Sequence, residues 1–452
     1  MKKQYVTAAV CALGLGLILA AQQSDVLIKI TQGERAAIAV PDFRGSGAAQ
    51  PLMGAFNETL YADIETSGLF RMVPKTMQPI EVPQRPQDFR KPSGTSRPGS
   101  GLWLTDWAAP PASATYLVIG YTGVQGDRLV LYGWLYNVAQ QDVNNAQVFG
   151  KVYFGTLDEN GARKVAHDFA ADVMSQFGFK SLSGTKIYFD SDQSGRGQRE
   201  IWMMDSDGAN QKQFTRYRSL SIMPAVSPDA TKVAFTSYAR GNPVILLHSL
   251  VTGGRLPFYN QKASMNATPD FTPDGSKIVF SSTATGRYAQ LYVANVDGSG
   301  LQRLTHSNSI DIEPKVNPKT GSEIVFVSGR SGVPQLYRMN IDGADIQRLS
   351  EGEGDAVNPC WHPDGQHIVF SWTRGYAPGN YNVFVMDVAT RQYVQLTHGA
   401  GRNENPVWAP DGRHIAFSSN RDGGTQIWTM LADGTQLRKL TTQGRNLRPV
   451  WR

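Results

Sequence analysis

The sequence is short of cysteine, of clustered charge and of long apolar runs. Its only cysteines are Cys11 and Cys360, so an internal disulfide is excluded once the leader described below is removed. The net charge of +6 comes from 44 basic and 38 acidic residues without a basic stripe, which argues against a nucleic-acid partner. Cys360 stands between Pro359 and Trp361, where we expect a small buried apolar side chain rather than a reactive thiol.

The first residues have the layout of a secretory signal peptide. Lys2 and Lys3 precede an apolar run from Val6 to Leu19, which is shorter than the ~20 residues of a membrane-spanning helix. We predict that residues 1–21 are removed on export. This segment carries two lysines and no acid, so the net charge falls from +6 to +4.

Motifs of two common hydrolase classes are also missing. The sequence contains no G-x-S-x-G nucleophile elbow and no H-E-x-x-H zinc motif, and its seven histidines are scattered. We therefore predict no catalytic residue, no metal ligand and no cofactor. We interpret His167 as a histidine satisfied by packing, and Asp205 and Asp207 as turn residues in preference to calcium ligands.

What the sequence has instead is a repeated phrase. An apolar strand of the type "IxF" recurs at intervals of 46, 45, 46, 44 and 47 residues, ending at Phe189, Phe235, Phe280, Phe326, Phe370 and Phe417. A period near 45 residues is typical of a β-propeller blade of four short strands. Each unit starts with a Pro-x-apolar strand and an "SPDG"-like turn, and ends with strands such as "QIWTM" and "RKLT".

The Pro-x-apolar segments also number six, but they are offset from the "IxF" strands. The last one, "RPVWR", has no "IxF" strand after it, and the first "IxF" strand has no such segment before it. We predict that the C-terminal strand completes the first blade, so that residues 181–452 close into six blades without a free sheet edge. Phe271, Trp361, Trp408 and Trp451 share one repeat position and are predicted to wedge between blades.

Residues 34–180 lack the repeat and predict an α+β domain of about five strands and two helices. Strands are indicated by "RAAIAVPDF", "LFRMVP", "TYLVIGYTG", "RLVLYGWLYNV" and "QVFGKVYF", and helices by "PLMGAFNETLYADIETSG" and "ARKVAHDFAADVMSQF". Residues 74–101 are rich in proline and predict a mobile loop. Residues 24–31, "SDVLIKIT", suit either a first strand or a terminal peptide that adds to another protein's sheet.

Together these features resemble the TolB family of the periplasmic Tol-Pal system of Gram-negative bacteria. The likeness rests on the terminal "DVLIKI", on "YLVIG" and "AHDFAADVM", and on six blades with "PDG", "IxF" and "RLT". The resemblance implies a monomeric, non-enzymatic adaptor in the periplasm. It also implies that the propeller binds the peptidoglycan-associated lipoprotein Pal, which places the protein peripherally at the outer membrane. The system supports outer-membrane integrity and constriction during cell division.

The resemblance also assigns a role to the extended segment 22–33, which would pair with the periplasmic domain of TolA. Its matching residues are Asp25, Val26, Leu27, Ile28, Lys29 and Ile30. At the level of sequence two other functions stay open. One is a propeller hydrolase or peptidase-type enzyme, in which channel carboxylates could bind a metal. The other is a propeller that binds the cell wall without Pal.

Topology predicts which end of the propeller carries the Pal-binding face. With the Pro-x-apolar strand innermost, as in the family, the loops that lead into it open at the end opposite the "SPDG" turns. Those loops vary among blades, as recognition loops do. The predicted Pal-binding face consists of Met265, Asn266, Thr268, Asp311, Ile312, Glu313, Asn358, Glu404, Asn405 and Arg448. At the same end, Arg330, Arg374 and Arg421 either join this face or brace its loops.

Overall fold

The computed structural model describes residues 35–90, 99–140, 142–195 and 197–452. They form two compact units, one ending at Ser183 and the other spanning Gly184–Arg452. The predicted signal peptide and the segment with Asp25–Ile30 lie outside the described residues. Within the described ranges, every helix is too short or too polar to span a bilayer.

The first unit combines one mixed sheet with helices on both of its faces. Its strands are β1 (Ala37–Ala39), β2 (Arg44–Gly45), β3 (Arg71–Met72), β4 (Tyr116–Gln125), β5 (Arg128–Asn137) and β6 (Gln147–Thr156). Its α-helices are α1 (Met53–Thr66), α2 (Leu104–Ala108), α3 (Val143–Ala146) and α4 (Glu159–Ser175). Short 3-10 helices span Gly47–Leu52, Lys75–Met77 and Pro86–Asp88.

The sheet has the order β3-β1-β4-β5-β6, and β2 pairs with β4 off this path. Strand β1 is parallel to both of its neighbours, whereas β4, β5 and β6 are antiparallel. Successive side chains point to opposite faces, so Val118 packs in the core with α1 and α4 while Leu117 packs in a second core around Trp107. The predicted α+β unit is confirmed, with β2 as an additional strand.

Two predictions for this unit have different outcomes. His167 is in α4, and its Nδ1 is 2.6 Å from Oδ2 of Asp63 in α1, which confirms a satisfied histidine at an interface. The predicted loop at residues 74–101 is irregular chain with two short 3-10 helices in its described parts, which pack against the domain. Glu81 N–H donates to the Ser100 carbonyl at 3.1 Å, and Phe89 is only 8% exposed in the core around Trp107. Phe89 and Val82, which packs against the same core, were hidden by the polar composition around them.

The second unit consists of six four-stranded antiparallel sheets. The innermost strands, called inner strands below, are Ser221–Val226, Asn266–Phe271, Asp311–Val316, Ala356–Trp361, Asn403–Trp408 and Asn446–Trp451. The second strands are Lys186–Ser191, Lys232–Ser237, Lys277–Ser282, Glu323–Ser328, His367–Trp372 and His414–Ser419. The third strands are Glu200–Asp205, Val244–Ser249, Gln290–Asn295, Gln335–Asn340, Asn382–Asp387 and Gln426–Leu431. The outer strands are Lys212–Gln213, Arg255–Leu256, Gln302–Arg303, Gln347–Arg348, Tyr393–Gln395 and Arg438–Lys439.

The ring closes as the offset of the repeat predicts. Inner strand Asn446–Trp451 pairs with second strand Lys186–Ser191, so the C-terminal strand completes blade 1, and blades 2 to 6 follow in chain order. The six phenylalanines of the "IxF" strands are fully buried. Trp361 and Trp408 pack in clusters that combine side chains of two adjacent blades, which confirms the predicted wedges at these positions.

Candidate functional site

The third residue of every inner strand has an unusual backbone conformation. Its φ lies between +50° and +55°, in the left-handed region, at Met223, Thr268, Glu313, Asn358, Asn405 and Arg448. Each of these residues precedes the proline of the Pro-x-apolar motif, and the register with the second strand shifts there, as in a β-bulge. Non-glycine residues held in this region cost about 1–3 kcal/mol each and concentrate at functional sites.

These six residues, called the channel ring below, surround the axis of the propeller. Together with the prolines that follow them, they line a cavity of about 80 Å³. The prolines are constant from blade to blade, whereas the ring side chains are one Met, one Thr, one Glu, two Asn and one Arg. A uniform backbone thus presents a set of different functional groups at one end of the propeller.

Hydrogen bonds between blades hold the channel ring in place. The bulge N–H of Thr268 donates to Thr236 Oγ1 of the preceding blade at 3.1 Å. Asn405 N–H and Arg448 N–H donate to hydroxyls at the same repeat position, Ser371 Oγ and Ser418 Oγ, both at 3.2 Å. The strained conformation therefore gives each of these amides a partner on the neighbouring blade, which compensates part of its cost.

Next to blade 4, the bulge N–H of Asn358 has an acceptor of a different kind. The second strand of blade 4 has Val327 where the other blades have a hydroxyl or a carboxylate, so it cannot accept from Asn358 N–H. Instead Glu313 Oε2 accepts this hydrogen bond at 2.8 Å, and both Glu313 oxygens lie 3.2 Å from Asn358 Nδ2. Burial raises the pKa of Glu313 above its ordinary value, although the Asn358 donors and Arg448 act in the opposite direction.

The cationic side of the channel is fixed by a buried acid. The Arg448 guanidinium lies 3.3 Å from both oxygens of Asp190, which is fully buried, and Arg199 lies 2.9 Å from Oδ2 of the same carboxylate. Burial alone would lower the pKa of Arg448, but the Asp190 carboxylate raises it above the ordinary value. The channel therefore presents a permanent positive charge at Arg448 in blade 1, across from Glu313 in blade 4.

The residues of the predicted Pal-binding face divide into three groups in the structure. Thr268, Glu313, Asn358, Asn405 and Arg448 come together in the channel ring. Met265, Ile312 and Glu404 lie half-buried where the chain enters an inner strand. Asn266 and Asp311, at the first position of their strands, are 1% and 0% exposed and so offer no surface to a partner.

Asp311 is buried because Arg330 turns inward onto it. Arg330 Nη2 lies 3.1 Å from both Asp311 oxygens, and Arg421 Nη2 lies 2.7 Å from Asn403 Oδ1 at the equivalent place in blade 6. Arg374 donates to the Glu351 carbonyl at 2.7 Å. Of the two interpretations of these arginines, the contacts favour braces for the loops.

The sequence analysis missed one member of the channel ring, Met223. The signal that could have found it is Pro224. The residue before each Pro-x-apolar proline belongs to the ring, and in blade 2 this residue is Met223. Cys360 is the only cysteine among the described residues. It packs half-buried against the core between blades 5 and 6, and burial raises the pKa of its thiol, as expected of an unreactive packing residue.

Comparisons with known proteins agree with this architecture. The family model described as the TolB beta propeller domain matches residues 196–375 and 350–452. A "Protein TolB homolog" of Chlorobium chlorochromatii is 31% identical over 238 residues, which are 52% of this chain and 49% of the relative. A "Tol-Pal system protein TolB" of Cereibacter sphaeroides is 33% identical over 269 residues, or 55% of each chain. The chain thus spans about half the length of the curated relatives it matches.

A solved structure is similar over nearly the whole chain. The crystal structure of TolB from Acinetobacter baumannii covers 93% of this chain and 97% of its own, with a TM-score of 0.74 and 22% sequence identity. At that identity the likeness shows a shared fold, here the α+β unit followed by the propeller. Because the family model covers more than half of the residues, the chain belongs to the TolB family.

Proposed function

We propose that the protein is a non-enzymatic adaptor of the Tol-Pal system in the periplasm. In this proposal the channel end of the propeller binds Pal, and the segment 22–33 pairs with the periplasmic domain of TolA. Family membership and the names of the relatives, which include "Tol-Pal system protein TolB", support the first part. The two partners and the roles in outer-membrane integrity and cell division belong to the proposal.

The single observation that supports a binding face most strongly is the channel ring. It holds six side chains of five residue types. All six residues have the same strained backbone conformation, which repeats around the axis of the propeller. Rigid presentation of this kind lowers the entropy lost on binding, because the groups are already ordered in the free protein. A protein partner fits this end well, since polar groups and the charged side chains of Arg448, Lys315 and Glu313 surround a cavity of only about 80 Å³ that would take a single side chain.

The role of the terminal segment rests on its pattern. In Asp25–Ile30, Val26, Ile28 and Ile30 alternate with the other side chains, so one face of an extended strand would be apolar. Such a strand adds to an exposed sheet edge through main-chain hydrogen bonds, and the alternate side chains supply specificity. In this proposal the segment is therefore the donor of the strand and TolA the acceptor.

The test compares two variants with the parent in titrations against purified periplasmic domains of Pal and TolA. Glu404→Lys changes the channel end and should weaken Pal binding by at least about tenfold, the effect of roughly 1.4 kcal/mol. Deletion of residues 22–33 should abolish TolA binding and leave Pal bound. Asp342→Lys is the matched control, because Asp342 is exposed in a turn after a third strand, at the opposite end of the blades.

The deletion variant tests the TolA half of the proposal, because TolA binding retained without residues 22–33 would contradict it, and the outcomes for Pal test the other half. Loss of Pal binding in Asp342→Lys but not in Glu404→Lys would move the Pal face to the other end of the propeller. Absence of Pal binding by the parent, together with retention of peptidoglycan fragments, would favour a propeller that binds the cell wall directly.

A further inference from the structure

The "SPDG"-like turn of blade 5 begins with a residue that the other turns do not have at this position. In blades 2 and 3 the first turn residue has a hydroxyl, and Ser227 Oγ and Thr272 Oγ1 donate to the turn aspartate at 2.5 Å. Blade 5 has His362 at this position and blade 6 has Ala409. His362 therefore replaces a hydroxyl donor with an imidazole ring beside the carboxylate of Asp364.

The hydrogen bonds of His362 fix its tautomer. Nε2 lies 2.8 Å from the Gly412 carbonyl, which can only accept, so Nε2 carries the proton. Nδ1 is then unprotonated. It accepts from Asp364 N–H at 3.0 Å and also lies 3.0 Å from Asp364 Oδ1. The Nδ1 of His362 and a carboxylate oxygen of Asp364 thus face each other at a distance that either a proton or a metal ion could bridge.

His367 brings a second imidazole to the same carboxylate. Its Nδ1 lies 2.7 Å from Asp364 Oδ2, and the ring is almost completely buried. Its Nε2 is buried without a hydrogen-bond partner among the described residues. Asp387 Oδ2 lies 3.7 Å from this nitrogen. If Nε2 carries the proton, its N–H points towards Asp387. The lone pair of Nδ1, beside Asp364, is then available to bind a cation.

We propose that His362, Asp364 and His367 bind a divalent transition-metal ion of the zinc type, with His362 Nδ1, a carboxylate oxygen of Asp364 and His367 Nδ1 as ligands. The ligand atoms of these three residues lie within 4.8 Å of one another. Neighbouring ligands in a tetrahedral zinc site are roughly 3.3 Å apart at the usual bond lengths, so small shifts would seat the ion. Imidazole and carboxylate are ligands that suit zinc.

The surroundings supply the outer hydrogen bonds that metal-binding histidines need. Such histidines donate their other ring N–H to a backbone carbonyl or a carboxylate. Here the Gly412 carbonyl accepts from His362 Nε2, and Asp387 Oδ2, now 3.7 Å from His367 Nε2, could accept from it after a small shift. Gly412 belongs to the corresponding turn of blade 6, so the ion would also hold the turns of blades 5 and 6 together. Asp364 is partly exposed, which leaves a path for the ion and a fourth position for water.

Blade 6 provides an internal control. His414 Nδ1 and Asp411 Oδ2 are 2.6 Å apart, as in the His367–Asp364 pair. Blade 6 lacks the other two groups, because Ala409 stands in the place of His362 and Leu431 in the place of Asp387. The pair alone is therefore a turn contact, and the proposal assigns metal binding to blade 5 only.

The test is equilibrium dialysis of untagged protein against Zn²⁺, followed by metal analysis. We expect one Zn²⁺ per chain and a rise in melting temperature on binding. His362→Ser and His367→Lys should lose both effects yet fold, because Ser227 and Lys232 hold the equivalent positions in blade 2. His414→Lys and Cys360→Ser should keep both effects. Co²⁺ in place of Zn²⁺ should give a visible absorption band in the parent that His362→Ser lacks.

Three results would overturn the proposal. They are no Zn²⁺ bound by the parent, stoichiometric Zn²⁺ retained by folded His362→Ser and His367→Lys, and loss of Zn²⁺ in His414→Lys or Cys360→Ser. Circular dichroism and the melting temperature without metal show whether each variant is folded, so loss of binding can be assigned to the ligand.

Discussion

Val327 shows how one residue can change the chemistry of the channel. The other second strands have Thr236, Ser281, Ser371, Ser418 and Asp190 at its repeat position. Because valine cannot accept a hydrogen bond, Asn358 N–H turns to Glu313, and a carboxyl group is drawn into a buried place. Sequence reasoning placed Glu313 at the channel as a partner contact, whereas its geometry gives it a structural role as well.

The raised pKa of Glu313 predicts how stability depends on pH. Burial raises the pKa in the folded state, so the folded protein binds more protons than the unfolded chain, whose Glu pKa is about 4.3. Glu313 therefore favours folding at low pH. The free energy of unfolding falls as the pH rises from the pKa of Glu313 in the unfolded chain to its higher pKa in the folded protein. Glu313→Gln keeps an oxygen that accepts from Asn358 N–H but cannot ionise. The part of the slope of unfolding free energy against pH that comes from Glu313 should therefore disappear.

Urea unfolding of parent and variant across the acid range measures this effect. The exposed Glu351, changed to Gln, is the control and should leave the slope as it is in the parent. An unchanged slope in Glu313→Gln would mean that Glu313 has an ordinary pKa in the folded protein.

Among the elements, the turns of the repeat could be predicted from the sequence because most of them contain a glycine. In the turns after the inner strands, Gly275, Gly365 and Gly412 have φ of +69°, +68° and +68°. Blade 2 has Ala230 at the same place with φ +53°. Ala230→Gly should therefore stabilise the protein by about 0.5–1 kcal/mol, since the Cβ strain is relieved and part of the gain is lost to the greater freedom of the unfolded chain.

Chemical denaturation is the measurement for this prediction, and Ala344→Gly is the control. Ala344 is an exposed turn residue without a positive φ, so the glycine should destabilise there. Destabilisation in both variants would show that the Ala230 turn is not strained.

The inner-strand bulges were not predictable in the same way. A left-handed residue is normally signalled by glycine, but the channel ring contains none, and a residue before proline is expected to be extended. The conformation is imposed by pairing across blades, through contacts such as Thr268 N–H to Thr236 Oγ1, which join residues 32 positions apart. The order of strands in each blade followed from the period, whereas the shape of the site depends on long-range hydrogen bonds.

At the scale of the whole molecule, closure of the ring makes the last strand equivalent to the others. Trp451 is 3% exposed and Trp361 is 5% exposed. Trp451 Nε1 donates to Thr185 Oγ1 and Trp361 Nε1 to the Lys315 carbonyl, each at 2.9 Å. The Trp361 bond joins blades 4 and 5, whereas the Trp451 bond lies within blade 1, and Trp451 meets blade 6 through the His414 ring at a centroid distance of 6.2 Å.

We predict that Trp451→Ala and Trp361→Ala cost similar amounts, about 3–5 kcal/mol each, as expected for a buried tryptophan. In a closed ring, neither interface can open without exposing the apolar faces of two blades, so both changes should act on one cooperative unit. Hydrogen exchange of amides in Lys186–Ser191 and His367–Trp372 measures the free energy of opening on both sides of the ring. If Trp451→Ala lowered protection only in blade 1, the closing strand would be a local attachment and the remaining five blades would form the stable unit.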